Sequence, residues 1–181
     1  MKTIALFRGI NVGGKSTIQM STLRAIFSDL GCKNVLTFIQ SGNVIFDSPE
    51  ISDDALVDQI QQKIKGELGI NPFILILNVQ ELEKAIMNNP FPQAVDTPQS
   101  LHLGFLASTP LEPDFNRLEM LRSETEQYRL IGNVFYLFAP DGVGRSKLAA
   151  GAEQALGVSM TDRNWRTVSK ILEIAQMGGS K

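Results

Sequence analysis

Apolar residues along the chain fall into two patterns, short runs rich in β-branched residues and stripes spaced three or four positions apart. The run at residues 3–7 predicts a buried strand. The helix predicted after it has the apolar stripe Leu23, Ile26, Phe27 and Leu30. We expect Ser21 to cap that helix, because a serine side chain accepts hydrogen bonds from early backbone N–H groups, and Gly31 to end it.

A hairpin and a second helix follow. Residues 34–40 and 44–46 are rich in β-branched and aromatic side chains and flank Ser41-Gly42-Asn43, which predicts two antiparallel strands. Ser52 is placed to cap a helix whose apolar face consists of Leu56, Ile60, Ile64 and Leu68. The run PFILIL predicts another strand, so the order of elements is βαββαβ. This order is typical of the ferredoxin-like motif, in which two helices cover one face of a four-stranded antiparallel sheet.

The same pattern starts again after a proline-rich segment. A helix at residues 79–87 leads into that segment, NNPFPQAVDTPQS. The elements after it are a strand, a helix and a second hairpin, at residues 101–107, 113–122, 128–131 and 134–138. The hairpin sequences SGNVIF and IGNVFY share a Gly-Asn-Val turn. We interpret this as an internal duplication. A chance match is the alternative, because unrelated hairpins also favour Gly-Asn at the turn.

Two more helices are predicted near the end of the sequence. Residues 146–156 form the first, residues 158–160 a short extended piece, and Thr161 is placed to cap the last helix. The apolar stripe of that helix is Trp165, Val168, Leu172 and Ala175. The expected fold class is α+β, with two ferredoxin-like halves, mostly antiparallel sheets and helices on one face. The predicted domains are residues 1–88, a linker at 89–100, and residues 101–181 with an extra C-terminal helix.

Composition and charge exclude several classes of function. The 181 residues carry 17 basic and 19 acidic side chains, so no overall field attracts nucleic acid or an anionic membrane. Cys32 is the single cysteine, which excludes an internal disulfide and a cysteine-clustered zinc site and indicates a reducing compartment. The N-terminal residues lack the apolar core of a signal peptide, and no apolar run is long enough to span a bilayer. We therefore expect a cytoplasmic protein with no membrane partner.

The segment GINVGGKS matches the phosphate-binding P-loop pattern G-x-x-x-x-G-K-[ST]. In a working P-loop a helix begins at the Lys-Ser pair, so that backbone N–H groups and the helix N-terminus meet the phosphates. Here the helical stripe begins several residues later. Asp47, the nearest carboxylate for a metal, belongs to an antiparallel hairpin, whereas the chemistry needs a neighbouring parallel strand. The match therefore does not predict NTP hydrolysis.

Five motifs taken together resemble one bacterial family. They are RGINVGGK at Arg8, FIQSGNVIFDS at Phe38, NNPFP at Asn88, GRSKL at Gly144 and TDRNWRTVSKI at Thr161. In this combination the chain resembles the domain-of-unknown-function 1697 family of uncharacterised cytosolic bacterial proteins, over nearly its whole length. The resemblance implies an α+β fold of two ferredoxin-like halves. It implies no activity.

The first group of candidate ligand-binding residues surrounds the glycine-rich loop. Loops on a rigid scaffold often carry binding residues, and glycines let backbone N–H groups approach an anion. The candidates in this loop are Arg8, Asn11, Gly13, Gly14 and Lys15. The hairpin turn adds Gln40, Ser41 and Asn43. The alternative is that the glycines and the turn residues only bend the chain.

The second and third groups lie at predicted helix starts. Arg145, Ser146 and Lys147 begin one helix, where cations oppose the helix dipole unless an anion lies between them. The alternative is that Ser146 caps the helix and both cations are solvated. Arg163 and Asn164 are expected in the first turn of the last helix, where they either hold an anion or fasten the helix to a loop.

Three other residues give no indication of a catalytic, metal-binding or ligand-binding role. Trp165 falls in an apolar stripe and is expected to be a buried anchor. His102 has no second histidine or carboxylate cluster near it in sequence, so the pattern favours neither a metal site nor a catalytic triad. Cys32 has no activating neighbour. We predict no metal site and can name no cofactor.

Three functions compete at this point. The leading hypothesis is a cytosolic protein that binds a phosphorylated or anionic small ligand through its glycine-rich loop and helix N-termini, with no reaction assigned. An RNA-binding protein is the second, because ferredoxin-like modules stack bases on sheet aromatics, here Phe46, Phe135 and Tyr136; the acidic charge balance opposes it. The third is a protein-interaction module without a small-molecule ligand, such as a homodimer joined through sheet edges.

Overall fold

The computed structural model describes residues 2–13 and 16–177. The chain divides into two compact units, residues 1–83 together with 171–181, and residues 84–170. Each unit has its own four-stranded sheet. Within the described ranges, none of the helices has the length and apolar character that crossing a bilayer requires.

The first unit is built from a sheet and two helices. In chain order its elements are β1 (Lys2–Arg8), α1 (Met20–Asp29), β2 (Lys33–Phe38), β3 (Asn43–Asp47), α2 (Asp53–Leu68) and β4 (Phe73–Asn78). The sheet order is β2-β3-β1-β4, and every neighbouring pair is antiparallel. The helix α3 (Val79–Met87) follows β4 directly.

One face of this first sheet packs against α1 and α2. Ala5 and Phe7 of β1 and Val44 and Phe46 of β3 alternate with residues of the opposite face, as a period of two requires. The helix residues in the same buried cluster are Leu23, Ile26, Phe27, Leu56, Ile60 and Ile64. The rings of Phe27 and Phe46 meet edge to face with centroids 4.9 Å apart, a geometry that aromatic pairs prefer.

The second unit repeats this arrangement. Its elements are β5 (Leu101–Leu106), α4 (Phe115–Leu121), β6 (Gln127–Ile131), β7 (Val134–Phe138), α5 (Lys147–Leu156) and β8 (Met160–Asn164). The sheet order is β6-β7-β5-β8, again antiparallel throughout. Its buried cluster joins Leu106, Phe135 and Leu137 to residues of α4 and α5. The last helix is α6 (Trp165–Met177), whose residues 165–170 belong to the second unit and residues 171–177 to the first.

The predicted α+β class with antiparallel sheets is therefore confirmed. Both units follow the order βαββαβ, with the same strand order within each sheet. The ferredoxin-like description, the internal duplication and the boundaries at 1–88, 89–100 and 101–181 stay our interpretation of this repetition.

The four residues named as possible helix caps give two confirmations and two errors. The Oγ atoms of Ser52 and Ser146 accept from Ala55 N at 3.3 Å and Ala149 N at 2.9 Å, as expected of N-caps. The prediction that Ser21 caps α1 is wrong, because α1 begins at Met20 and its N-cap position is Gln19, which makes no side-chain cap bond.

The prediction for the start of the last helix is also wrong. Thr161 does not cap it, because Thr161 lies in β8 opposite Phe105 of β5. The cap is Asn164, whose Oδ1 accepts from Thr167 N at 2.9 Å. Pairing with β5 holds residues 160–164 in an extended conformation, so the helix begins only where the strand ends. As a result the buried stripe of α6 is Val168, Ile171 and Ala175, while Trp165 and Leu172 are half-buried.

Candidate functional site

The glycine-rich loop after β1 and the hairpin turn between β2 and β3 lie at the same end of the first sheet. The strand register shows this, because Leu6 pairs with Asn43 and Arg8 pairs with Phe73. The structure therefore brings together five of the predicted site residues, Arg8, Asn11, Gln40, Ser41 and Asn43. Gly13 lies in the same loop with φ +60°, and the predicted residues Gly14 and Lys15 lie outside the described residues.

Asn11 holds this loop to the hairpin turn. Its Nδ2 donates to the carbonyl oxygens of Ile18 at 3.0 Å and Gln40 at 2.8 Å, and its Oδ1 accepts from Ile18 N at 2.8 Å. Asn43 is buried, and its Nδ2 donates to Phe38 O at 3.1 Å and Ser41 Oγ at 3.0 Å. For Asn11 and Asn43, these bonds favour the alternative interpretation, in which the residues fix the conformation of the loop and the turn.

Strained backbone collects in the same two segments, a feature that the sequence pattern did not indicate. Among the described residues of these segments, three other than glycine have positive φ, Asn11 at 55°, Ser16 at 52° and Ile39 at 49°. Ile39 is the most unusual of the three, because a β-branched residue rarely adopts a positive φ. Its side chain is also half exposed. Such residues persist only where surrounding contacts hold them, and they are common at binding loops.

The loop lacks the geometry of a P-loop. α1 begins at Met20 and not at Ser16, so the segment containing Ser16 does not open the helix. β1 is antiparallel to both of its neighbours, β3 and β4. A P-loop needs a parallel strand and a helix start directly at the phosphates, so these positions do not support nucleotide hydrolysis.

A small cavity beside this loop contains Arg8. Its guanidinium carbon lies 4.8 Å from the centroid of the Phe73 ring, which places the cation over the aromatic face. The cavity has a volume of about 290 Å³ and is lined by Arg8, Gly9, Ser16, Ile70, Asn71, Pro72 and Phe73.

The start of α5 carries the second group of predicted residues. A short 3-10 turn at Val143–Arg145 leads into Ser146, the N-cap of α5. Arg145 and Lys147 are exposed. Across residues 2–13 and 16–177, neither side chain makes a hydrogen bond or an ion pair.

A larger cleft opens at this helix start. It has a volume of about 460 Å³ and lies between the end of α4, the loop after it and the beginning of α5. Its charged lining residues are Arg122, Glu126, Asp141, Arg145 and Lys147.

The two carboxylates of the cleft are engaged in the neighbouring loops. Glu126 Oε2 accepts from Ser123 N at 2.9 Å, and Asp141 Oδ2 accepts from the Thr125 hydroxyl at 2.6 Å. Arg122 is also bound, because its Nε donates to Glu119 Oε2 at 3.0 Å. Hydrogen bonds from neutral groups leave Glu126 and Asp141 negatively charged, but within the described residues neither carboxylate forms an ion pair with Arg145 or Lys147.

The matching helix of the first unit has the opposite charge. α2 and α5 both begin after a serine N-cap, Ser52 and Ser146. The first turn of α2 contains Asp53 and Asp54, as the helix dipole favours, whereas the first turn of α5 contains Lys147 and no acidic residue. The same scaffold position therefore has a conventional charge in one unit and an unfavourable one in the other.

The third predicted group does not join this cleft. Arg163 lies in β8 opposite Leu103, and its Nη1 donates to Asp162 O at 2.7 Å. Burial lowers the pKa of Arg163 to about 10. Asn164 is occupied as the cap of α6. Neither residue lines the cleft at α5.

His102 forms a polar cluster that the sequence pattern missed. Its Nδ1 lies 2.7 Å from Asp162 Oδ2, and its Nε2 lies 3.1 Å from the Gln99 carbonyl oxygen. Burial by itself would lower the pKa of His102. The hydrogen bond to Asp162, the charge of Asp162 and the hydrogen bond to the Gln99 carbonyl raise the pKa by more than burial lowers it, so the net shift is upward. The sequence pattern does not reveal this pair, because His102 and Asp162 are 60 residues apart in the chain.

Cysteine and metal chemistry gain no support from the geometry. Burial raises the pKa of the Cys32 thiol to about 11, so the nucleophilic thiolate is disfavoured. Within residues 2–13 and 16–177, no three His, Cys, Asp or Glu side chains gather as a metal site would require.

The family of the chain follows from a match over most of its length. The sequence model of the family described as "Protein of unknown function (DUF1697)" matches residues 1–136. The chain belongs to this family. The resemblance to this family is therefore confirmed, over a range that contains the first three of the five motifs.

Comparison with other proteins adds information on the fold alone. No curated protein matches the chain. Among solved structures, the chain is similar to the conserved bacterial protein SP0830 from Streptococcus pneumoniae, with 22% sequence identity and a TM-score of 0.65. The match covers 96% of this chain and 98% of that chain. A likeness at this identity shows a common fold and no common activity.

Proposed function

We infer that this protein binds a phosphorylated or otherwise anionic small molecule in the cleft at the start of α5. The observation that carries the proposal is the pair Arg145 and Lys147, two cations without a protein partner in the described chain, at the mouth of a cleft of about 460 Å³. A cytoplasmic location belongs to the same proposal, since Cys32 is a free, buried thiol.

Electrostatics favour an anion at this position. The first N–H groups of a helix and its dipole attract negative charge, and two cations on either side of the N-cap repel one another until an anion lies between them. Ser146 Oγ accepts from one N–H of this turn, that of Ala149, so it does not satisfy the others. The acidic first turn of α2 is the internal comparison, because there the same scaffold offers no binding site for an anion.

The RNA-binding alternative loses its stacking residues. Phe46, Phe135 and Tyr136 are all buried, with at most 2% of each side chain exposed. Phe46 and Phe135 belong to the clusters beneath the helices, and the Tyr136 hydroxyl donates to Ala85 O at 2.7 Å. Bases stack only on aromatic rings that solvent can reach. These observations support a small ligand over a nucleic acid.

The alternative of a homodimer joined through sheet edges is disfavoured at β2. β2 is an edge strand of the first sheet. Its register shifts between Lys33 and Leu36, and Asn34 adopts a positive φ of 50° within that shift. A bulge and a lysine on an edge strand both hinder pairing with another chain.

The proposal is tested by thermal unfolding in the presence of candidate anions. The panel contains inorganic phosphate, sugar phosphates, nucleotides with and without Mg²⁺, and short single-stranded RNA. A ligand at a hundred times its Kd adds about 2.7 kcal/mol, which corresponds to roughly 5–10 °C in the midpoint for a chain of this size. We expect such a shift from one class of phosphorylated compound.

Variants decide whether the shift arises in the cleft. Arg145→Ala and Lys147→Ala should each reduce it strongly. Arg166→Ala is the matched control, because it removes one exposed cation at the start of α6 and lies outside the lining of the cleft. Equal shifts in all three variants, or no shift with any compound, would remove the proposal.

A further inference from the structure

The two units can be aligned by combining their strand register with the Gly-Asn-Val turns that the two hairpins share. Ala5 of β1 pairs with Val44, the second residue of β3, and Phe105 of β5 pairs with Val134, the first residue of β7. Both valines follow a Gly-Asn turn of the same sequence. Ala5 and Phe105 therefore occupy equivalent places in the two sheets.

This alignment shows that the Arg8–Phe73 pair of the first unit has no equivalent in the second unit. Arg8 lies three residues after Ala5, so its equivalent is Ser108, three residues after Phe105. On the other side, Ala5 pairs with Ile76 and Phe105 with Thr161, which makes Val158 the equivalent of Phe73. Neither Ser108 nor Val158 can form a cation–π pair. The common scaffold therefore does not require the Arg8–Phe73 pair.

The geometry around this pair is that of a small binding cavity. The Arg8 guanidinium lies over the Phe73 ring at 4.8 Å, and the lining of the cavity of about 290 Å³ includes three apolar residues, Ile70, Pro72 and Phe73. The lining also includes Gly9 and Ser16, residues of the loop that Asn11 holds in place. The loop's strained residue Ser16 is thus part of the cavity wall.

The chemistry of this lining specifies a class of ligand. A guanidinium that lies over an aromatic ring has a fixed orientation, and its planar fork of N–H donors matches the two oxygens of a carboxylate or phosphate. With five N–H groups, Arg8 can bind a ligand in addition to its contacts within the protein. The apolar side chains of Ile70, Pro72 and Phe73 suit a hydrocarbon group next to that oxyanion.

We propose that the cavity beside Arg8 is a second ligand site, which binds a small organic acid made of one carboxylate or phosphate group on an apolar body. Arg8 binds the oxyanion, and Ile70, Pro72 and Phe73 contact the apolar body. The site is independent of the cleft at α5, which lies within residues 84–170.

The test is a titration of the full-length ¹⁵N-labelled protein followed by ¹H–¹⁵N correlation spectra. The probes are phenyl phosphate and benzoate, with inorganic phosphate and benzyl alcohol as the separate halves of the ligand. We expect saturable shifts of the Gly9, Ser16, Asn71 and Phe73 amides with the first two probes, and much weaker binding of either half.

Arg8→Lys and Phe73→Leu test the geometry, because the first keeps the charge without the planar fork and the second keeps an apolar residue without the ring. Each should weaken binding roughly tenfold while the spectrum of the free protein stays folded. Arg166→Ala, which removes a cation outside this cavity, should bind as the parent does.

Three outcomes would overturn the proposal. These are saturable shifts confined to the Arg145, Ser146 and Lys147 amides, unchanged affinity in Arg8→Lys, and inorganic phosphate binding as tightly as phenyl phosphate. Shifts at Gly9 and Phe73 without shifts at the start of α5 would support this site and count against the proposed function, so the two proposals can fail separately.

Discussion

His102 and Asp162 lie on adjacent strands with Nδ1 and Oδ2 2.7 Å apart, and the opposite ring nitrogen of His102 faces the Gln99 carbonyl. Both ring nitrogens thus face acceptors, and only the imidazolium can donate to both. The geometry and the raised pKa of His102 agree that the protonated form is favoured in the folded protein.

A pH dependence of stability follows from this pair. Because the folded pKa of His102 lies above its unfolded value of about 6.5, the stabilisation is complete below that value and is lost as pH rises through the folded pKa. We expect the urea midpoint of the parent to fall across this window. Variant His102→Gln should lack this component of the pH dependence.

The pKa can be measured directly, since His102 is the only histidine and its ring resonance needs no assignment. NMR titration should give a pKa above about 6.5, and Asp162→Asn should lower it. A value below 6.5 in the parent, or no change in Asp162→Asn, would contradict the ion pair.

Asn11 should matter for stability more than for ligand binding. Its amide makes three hydrogen bonds that hold residues 11–18 to the hairpin turn. We expect Asn11→Ala to cost about 1–3 kcal/mol for the unsatisfied partners and about 1 kcal/mol more for placing alanine at positive φ. Asn11→Gly should avoid the second cost only.

Urea unfolding measures both Asn11 variants, and hydrogen exchange at the Ile18 amide shows whether the loop opens. Because Ile18 N donates to Asn11 Oδ1, its exchange should accelerate in both variants. Unchanged exchange would mean that the loop is held without Asn11.

Gly42 and Gly132 occupy the same turn position in the two hairpins but have different surroundings. A Cβ on Gly42 would lie 2.5 Å from Phe7 Cβ and 2.6 Å from Ile10 Cδ1, whereas nothing lies within 4 Å of a Cβ on Gly132. Both residues have positive φ, 76° and 60°. Gly132→Ala should therefore cost only the conformational strain, about 1–2 kcal/mol.

Gly42→Ala should cost a further 1–3 kcal/mol or so, because the loop or Phe7 must move to admit the methyl group. Urea denaturation of the two variants gives the comparison. Equal costs would show that the glycine-rich loop does not pack tightly on the first hairpin.

The sequence predicted those elements whose causes are local. The Gly-Asn turns, the Ser52 cap and the apolar face of α2 depend on residues within a few positions of one another. β8 was missed because its polar sequence resembles a helix start, and only pairing with β5 makes it a strand. His102 and Asp162 were missed for the same reason, since the strand register alone brings them together.

From the sequence, the candidate site could be predicted only at positions where the charge of a side chain is unfavourable for the local structure. Arg145 and Lys147 could be identified because cations at a helix N-terminus are unfavourable without a partner. The cavity beside Arg8 could not, because Phe73 reaches Arg8 only through the pairing of β1 with β4. Asn11 was predicted as a binding residue, and its bonds to Ile18 and Gln40 appear only once the loop is folded.

The charge reversal between α2 and α5 gives a prediction in which stability and binding change in opposite directions. Lys147→Glu places an acidic residue in the first turn of α5, where the helix dipole favours it. In the absence of ligand, this variant should be more stable than the parent by about 0.3–1 kcal/mol. Asp53→Lys, the matched change in α2, should be less stable by a similar amount.

With ligand present, we expect the order of stability to reverse, so that the parent becomes more stable than Lys147→Glu. If the cleft binds an anion, the parent gains stability on adding the phosphorylated compound, and Lys147→Glu gains little because a carboxylate repels it. Asp53→Lys should keep the full gain, since α2 lies outside the cleft. Urea unfolding of the three proteins with and without ligand measures all six values. A loss of stability in ligand-free Lys147→Glu would mean that Lys147 serves the fold, and that its position needs no anion to explain it.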